Sequence, residues 1–408
     1  MSETLKFGAG EWATKVGSTL AYNSENGNFK PLPFNFTRST SATRVNKDGL
    51  IEVVSNNKPR IDFLNDSNGA LLLEPARTNL ITYSEAFDNA YWTKSGSSVV
   101  SGFVSPDGTA NAFKLVEDSA TSRHTITMAN TPVSVANHSA SIFVKANGRT
   151  KIALSEEVAT GLYASFDLTT GTVLSESGIS SKIEALADDW YRISYTSLSG
   201  TFFLLRVCLL PDSYTTGAVT GTYTGDGTSG VYIWGAQLEQ GSYATSYIPT
   251  QGAISTRVAE VCSGAGNDQV FNDSEGVLMM EINTSDTSAV PIISLSNGNA
   301  SNEIEFAYYG TNQFNFILRV SGGTSNVIGT VNASDFSKFA VSYTTTDFKV
   351  YLNGFLIGSN TLPSPLSGLN TLDFNFPGGG NHFYGNTKQI QYFDRALTDA
   401  ELINLTKI

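Results

Sequence analysis

Apolar and polar residues alternate in short runs along this chain, and turn residues interrupt the runs roughly every ten positions, the spacing of strands in an all-β domain. Residues 141–145 (SIFVK), 163–168 (YASFDL), 190–195 (WYRISY) and 231–234 (VYIW) each alternate or stay apolar over strand length, and 276–282 (GVLMMEI) opens a further run. Two hairpins are written in turn chemistry. Asn353-Gly354 separates the two halves of the alternating stretch 348–358, a residue pair suited to the positive φ of a two-residue turn, and Asp48-Gly49 separates Arg44-Val45 from Leu50-Ile51. Helix signals are confined to a Ser-capped turn within 82–92 and to Thr398-Asp399-Ala400-Glu401, a capping box for one short helix near the end. Regular short strands with almost no helix predict antiparallel sandwiches.

At 408 residues the chain exceeds what one core holds. The polar, turn-rich stretch 256–276 separates two blocks of strands, and before residue 79 the strands are short and large apolar residues sparse. The expected fold is therefore all-β: a small N-terminal β module over 1–78, then two antiparallel β-sandwich (jelly-roll) domains over 79–260 and 261–408. A module so poor in large side chains either packs against other subunits or trails from the second domain as an arm.

Charged residues make up 15% of the chain and the net charge is −12. Phosphate backbones are bound by clustered Lys and Arg, so nucleic acid is not an expected partner. The apolar runs are far too short to span a bilayer and no basic cluster flanks one, so membrane insertion is not expected either. Cys208 and Cys262 are too few for a disulfide framework and are expected to stay unpaired.

Four blocks follow one another within 36–79: FTRSTSATRV, DGLIEVV, PRIDF and ALLLEPARTN. In that order they resemble the opening module of phage tail-fibre and related virion proteins. NAYWTKSG at 89–96 and VYIWGAQLEQGSYATSYIPT at 231–250 resemble the carbohydrate-binding-module-like jelly roll that follows such a module. The YLNG hairpin and KQIQYFDRALTDAEL at 388–402 resemble the closing part of a concanavalin A-like, laminin-G-type sandwich. The resemblance implies a non-enzymatic virion protein, made in the cytoplasm of a bacterial host without a signal peptide. It implies a tail-fibre or receptor-binding subunit, homotrimeric, joined to other virion proteins through 1–78 and adhering to host cell-surface polysaccharide. A head-fibre, decoration or collar protein with a structural role is the first alternative, and a polysaccharide depolymerase the second.

Chemistry-bearing motifs are few. None of the three histidines, His124, His138 and His382, stands in metal-ligand spacing with another His or Cys, and no nucleophile elbow or phosphate loop occurs. A glycosidase needs two carboxylates across a cleft, for which Glu281 with Glu303 or Glu305 are the candidates. Sugar binding needs an aromatic face and a few fixed polar groups. Trp92 and Tyr191 in the second domain, and Tyr309, Asn381, His382 and Tyr384 in the third, are the candidates for glycan contact. The run 377–384 (PGGGNHFY) places glycines beside polar and aromatic tips, which suits a sugar and a subunit contact equally. No cofactor is expected beyond a structural calcium, for which Asp226, Asp268 and Asp273 are candidate ligands, against the ordinary role of Asp in turns.

Overall fold

The structure, a computed structural model, describes residues 3–156, 161–217, 219, 222–286, 289–321 and 323–408. It is nearly all-β, as expected. Among the described residues the one α-helix is Asp399–Thr406, and no helix is long and apolar enough to cross a membrane. The division of the chain differs from the three consecutive modules expected. One compact unit comprises Met1–Ser41, Val54–Pro75 and Val258–Ile408, and the other Ala42–Val53 and Ala76–Arg257.

The first unit is a sandwich of a large antiparallel sheet and a five-stranded one. In the large sheet Gly276–Asn283 lies between Gly385–Phe393 and Ser337–Tyr343, and the order continues through Asp347–Leu352 to the edge strand Phe355–Thr361. The smaller sheet runs Gly323–Thr330, Gln313–Val320, Glu303–Tyr308, Ile292–Ser296, Thr371–Asp373. Leu278, Met280 and Ile282 join Ile304, Phe306 and Phe316 in one buried core. Their neighbours Val277 and Met279 point the other way, into a smaller cluster with Leu397 and, from the helix, Leu402. Burial on both faces is why this strand reads as an unbroken apolar run. The helix begins at the expected capping box, Thr398 accepting from the Glu401 amide and Glu401 accepting from the Thr398 amide. Asn353 (φ 51°) and Gly354 (φ 86°) turn the expected hairpin.

The N-terminal stretch is not a separate module. Leu5–Gly8 pairs with one end of Gly385–Phe393 and Ala70–Leu73 with the other, while Asn28–Thr37 pairs with Val261–Ser263. Leu5, Phe7, Phe34, Phe36, Ile61, Leu71 and Leu73 enter the same core as the C-terminal strands. Its sparse apolar residues thus find their burial within the same chain.

Three of the recurring sequence blocks supply one buried ion cluster in this unit. Arg38, Arg60 and Glu74 meet Glu260 with side chains at most 8% exposed. Arg60 Nη2 donates to Glu74 Oε2 at 2.8 Å and to Glu260, and Arg38 Nη1 donates to Glu260 Oε1 at 2.6 Å. The remaining Arg38 donors reach the carbonyls of Thr40, Val54, Ser55 and Lys58, and Glu260 also accepts from the Glu74 amide at 2.9 Å. Burial disfavours the Arg60 cation, but the two carboxylates outweigh it and raise its pKa.

The second unit packs two six-stranded antiparallel sheets. One runs Trp92–Ser95, Thr125–Met128, Arg206–Leu210, Lys151–Ser155, Tyr163–Asp167, Thr172–Ser177. The other runs Ser97–Phe103, Ala112–Glu117, Gly230–Gln240, Asn137–Asn147, Tyr191–Leu198, Ser180–Ala185. Leu115, Ile142, Val144, Ile152, Phe166, Val207 and Ile233 fill the space between them. The Asp48-Gly49 hairpin belongs here: Asn46 Oδ1 accepts from the Asp48 and Leu50 amides, Gly49 takes φ 80°, and Thr43 Oγ1 donates to the Tyr247 carbonyl at 2.6 Å. Asn79 spans two segments, its Nδ2 donating to the Ala236 and Ile248 carbonyls and its Oδ1 accepting from the Ile81 and Leu238 amides. Cys208 and Cys262 are free and buried, one in each unit.

Candidate functional site

One formed cavity lies in the second unit, at residues outside the expected set. A cavity of about 430 Å³ is lined by Glu85, Asp88, Ser101, Asn111, Phe113 and Gln251, among others. The turn within 82–92 forms one wall, and the chain that returns at 247–251 is laced to it. Ser84 Oγ meets Tyr247 Oη at 2.7 Å and accepts from the Thr250 amide at 2.8 Å, and Thr250 Oγ1 donates to the Ile81 carbonyl at 2.6 Å. The strands Ser97–Phe103 and Ala112–Glu117 supply Ser101 and Phe113.

The polar groups of the cavity are held in place. Glu85 Oε1 accepts from Tyr247 Oη at 2.8 Å and Oε2 accepts from Asn111 Nδ2 at 3.3 Å. Asn111 Nδ2 also donates to Asp107 Oδ2 at 3.4 Å. Both partners of that nitrogen are carboxylates, so the network fixes which way the amide points. Its Oδ1, buried, has no hydrogen-bond partner. Burial, with the nearby Asp107 charge adding to it, pushes the Glu85 carboxyl above the usual range. Such a site can accept donors from a polyhydroxylated ligand while Phe113 offers an apolar wall.

The expected glycan residues divide sharply. Trp92 is a correction: its ring is 1% exposed and packed against Phe87, and its Nε1 donates to the Tyr83 carbonyl at 2.8 Å, so no sugar can stack on it. It underpins the cavity wall instead. Tyr191 is half-buried, its ring edge lying over Gly171.

In the first unit the structure brings Asn381, His382 and Tyr309 to one end of the five-stranded sheet, because Ile292 pairs with His382 on one side and Ala307 on the other. Tyr309 is 42% exposed and Asn381 is exposed, with φ 45°. His382 Nδ1 is buried without a partner, and burial lowers the ring's pKa. Tyr384 packs against the core, its ring centroid 5.9 Å from that of His382. Gly378, Gly379 and Gly380 have open space where a Cβ would stand, so they are required by positive φ and not by a close approach.

The carboxylates considered for hydrolysis do not form a pair across a cleft. Glu281 lies on the face of the large sheet opposite its core residues Met280 and Ile282, and accepts from Gln389 Nε2 at 2.7 Å. Glu303 and Glu305 stand on the outer face of the other sheet. Arg319 Nη1 contacts both, Glu305 Oε2 at 2.6 Å, and so occupies the space a glycosidic bond would need. Burial pushes the Glu305 carboxyl up to about 7.

The three Asp residues considered for calcium serve loops. Asp226 accepts from the amides and hydroxyls of Thr228 and Ser229, donors that draw its pKa down, the Ser229 hydroxyl foremost. Asp273 accepts from the Gly368 and Leu369 amides, and Asp268 is exposed. Among the described residues no group of three or more His, Cys, Asp or Glu is arranged to hold a metal ion.

The cavity was not legible from sequence because Glu85, Asn111 and Gln251 lie far apart in the chain and share no motif. The polar residues that tie these segments together, Ser84, Gln237, Glu239, Thr245 and Thr250, are buried, which only the structure reveals.

Residues 278–403 match the concanavalin A-like lectin/glucanases superfamily, about a third of the chain. No curated protein matches the chain. Similar solved structures include the CBM40 domain of Ruminococcus gnavus IT-sialidase bound to α2,3-sialyllactose, 19% identical over 35% of this chain and 93% of that one, with a TM-score of 0.30. The binding domain of botulinum neurotoxin serotype G is 14% identical over 36% of this chain and 39% of its own, with a TM-score of 0.29. A SAP-like pentraxin from Limulus polyphemus is 15% identical over 32% and 68%, with a TM-score of 0.27. At such scores these likenesses carry no argument about a ligand. The C-terminal stretch of this nearly all-β chain is similar to the lectin-type sandwich.

Proposed function

We propose that the protein is a non-catalytic, glycan-binding virion subunit, a tail-fibre or receptor-binding protein that holds host surface polysaccharide in the cavity of its second unit. The observation that carries the binding reading is that cavity: about 430 Å³, a Glu85 carboxylate held in place by donors from Tyr247 and Asn111, and Phe113 in the wall. The lectin-type match over 278–403 supports a carbohydrate ligand, and Arg319 between Glu303 and Glu305 favours binding over hydrolysis. The virion assignment rests on the ordered blocks of 36–79, and homotrimerisation on the same resemblance. Particle attachment is assigned to 1–78.

Binding of purified protein to host cells and to extracted polysaccharide tests the reading. The Glu85→Gln and Ser101→Trp variants should each lose most of the binding, while Lys349→Ala, on the other unit, should bind like the parent. Equal binding by all of them overturns the cavity assignment. Release of new reducing ends from the polysaccharide would replace adhesion by depolymerisation. Light scattering should give about three times 43.6 kDa.

A further inference from the structure

We propose that like chains meet through one side of the first unit, where the two long edge strands Gly323–Thr330 and Phe355–Thr361 lie together. The inference rests on the homo-oligomeric reading and goes beyond it by naming the contact face. Each strand ends its own sheet here and pairs with a neighbour on one side only. The two pack against each other: Ser325 Oγ donates to the Thr361 carbonyl at 2.6 Å and Asn360 Nδ2 to the Asn326 carbonyl at 3.1 Å, and a Cβ on Gly358 would stand 3.1 Å from Val327. At the opposite ends of the two sheets the last strands, Val261–Ser263 and Thr371–Asp373, are only three residues long.

A long edge strand presents a row of N–H and C=O groups, and proteins that stay monomeric protect such edges with charged residues, Pro or short strands. These two strands, of eight and seven residues, contain neither a charge nor a Pro. No Asp, Glu, Lys or Arg occurs anywhere in 320–334 or 350–372. Along this side Phe355 is 73% exposed, Leu356 51%, Ile357 36% and Ile328 53%. Those fractions amount to roughly 400 Å² of apolar surface, about half of the ~800 Å² that each partner of a stable interface buries, and the exposed polar residues of the two strands add to it. The charge balance selects a second copy as the occupant. Chains of net charge −12 repel one another except where they meet at a neutral face, whereas a basic partner is drawn to the acidic surface elsewhere. The register of Phe355–Thr361 against its neighbour slips at Val350/Tyr351, and such a bulge twists an edge away from further strand pairing. Contact through side chains remains, and around a three-fold axis the patch of each copy packs against those of the other two.

The test is the mass of the full-length protein in solution, by light scattering over a range of concentrations. The parent should give about three times 43.6 kDa, and the double variant Phe355→Lys, Leu356→Lys should fall to 43.6 kDa. Ser359→Lys, at an exposed polar position of the same strand, should dissociate the chains without removing any apolar side chain, so that loss of the fold cannot account for the result. A trimeric parent whose variants all remain trimeric overturns this face and leaves the homotrimer standing. A parent of 43.6 kDa at every concentration overturns both. A dimeric parent that the variants convert to monomer upholds the face and overturns the trimer.

Discussion

Replacing Glu260 by Gln should strongly destabilise the first unit. Glu260 is fully buried and bridges two guanidiniums, Arg38 at 2.6 Å and Arg60, while accepting from the Glu74 amide. The Gln amide removes the charge that holds both cations in a desolvated place and points an N–H at groups that are themselves donors. Arg38 keeps four carbonyl acceptors and Arg60 keeps Glu74 at 2.8 Å, so the cluster is weakened without being emptied. Breaking a buried pair by removing one partner costs about 3–5 kcal/mol. With an m-value of about 3 kcal/mol per M of urea, the midpoint should fall by roughly 1–1.7 M. The molecule carries its own reporters, since Cys262 is buried in this unit and Cys208 in the other. Thiol labelling against urea, quantified per cysteine by mass spectrometry, should show the Cys262 midpoint falling by that amount. Glu74→Gln, which touches one guanidinium and is 8% exposed, should shift it less. A Cys262 shift below about 0.3 M, or a larger shift at Cys208, would show that the cluster does not hold this unit together.

Three further outcomes follow from single features. Asn79→Ala strips partners from four buried backbone groups in the second unit and should cost about 3 kcal/mol or more, seen as earlier Cys208 labelling. Gly354→Ala forces a side chain into φ 86° and should cost about 1–2 kcal/mol by urea unfolding monitored at Cys262. Glu305 has a folded pKa raised to about 7 from an ordinary 4.5, so folding favours its protonated form. The stability it contributes is greatest below about pH 4.5 and is lost as pH rises to about 7. The Cys262 midpoint difference between Glu305→Gln and the parent should therefore widen across that window, and a constant difference would refute the raised pKa.

Local chemistry was legible from the chain alone. The Asn353-Gly354 turn, the Thr398–Glu401 capping box and the short alternating strands depend on a few neighbouring residues, whose φ preferences and hydrogen-bond partners are set within one turn. What only the tertiary structure decided is long-range pairing. The N-terminal strands looked dependent because their apolar residues are sparse, and sequence could say that they need a partner surface but not that Gly385–Phe393 and Val261–Ser263 of the same chain provide it. The recurring Arg and Glu residues of 36–79 stood out as a family signature, yet their work as a buried cluster becomes visible only with Glu260 beside them. Trp92 fits an aromatic platform by composition, and packing against Phe87 turns it inward. The cavity is the extreme case: Glu85, Asn111 and Gln251 come together through backbone pairing of segments with no local mark, and a site assembled from such distances leaves no motif in the chain.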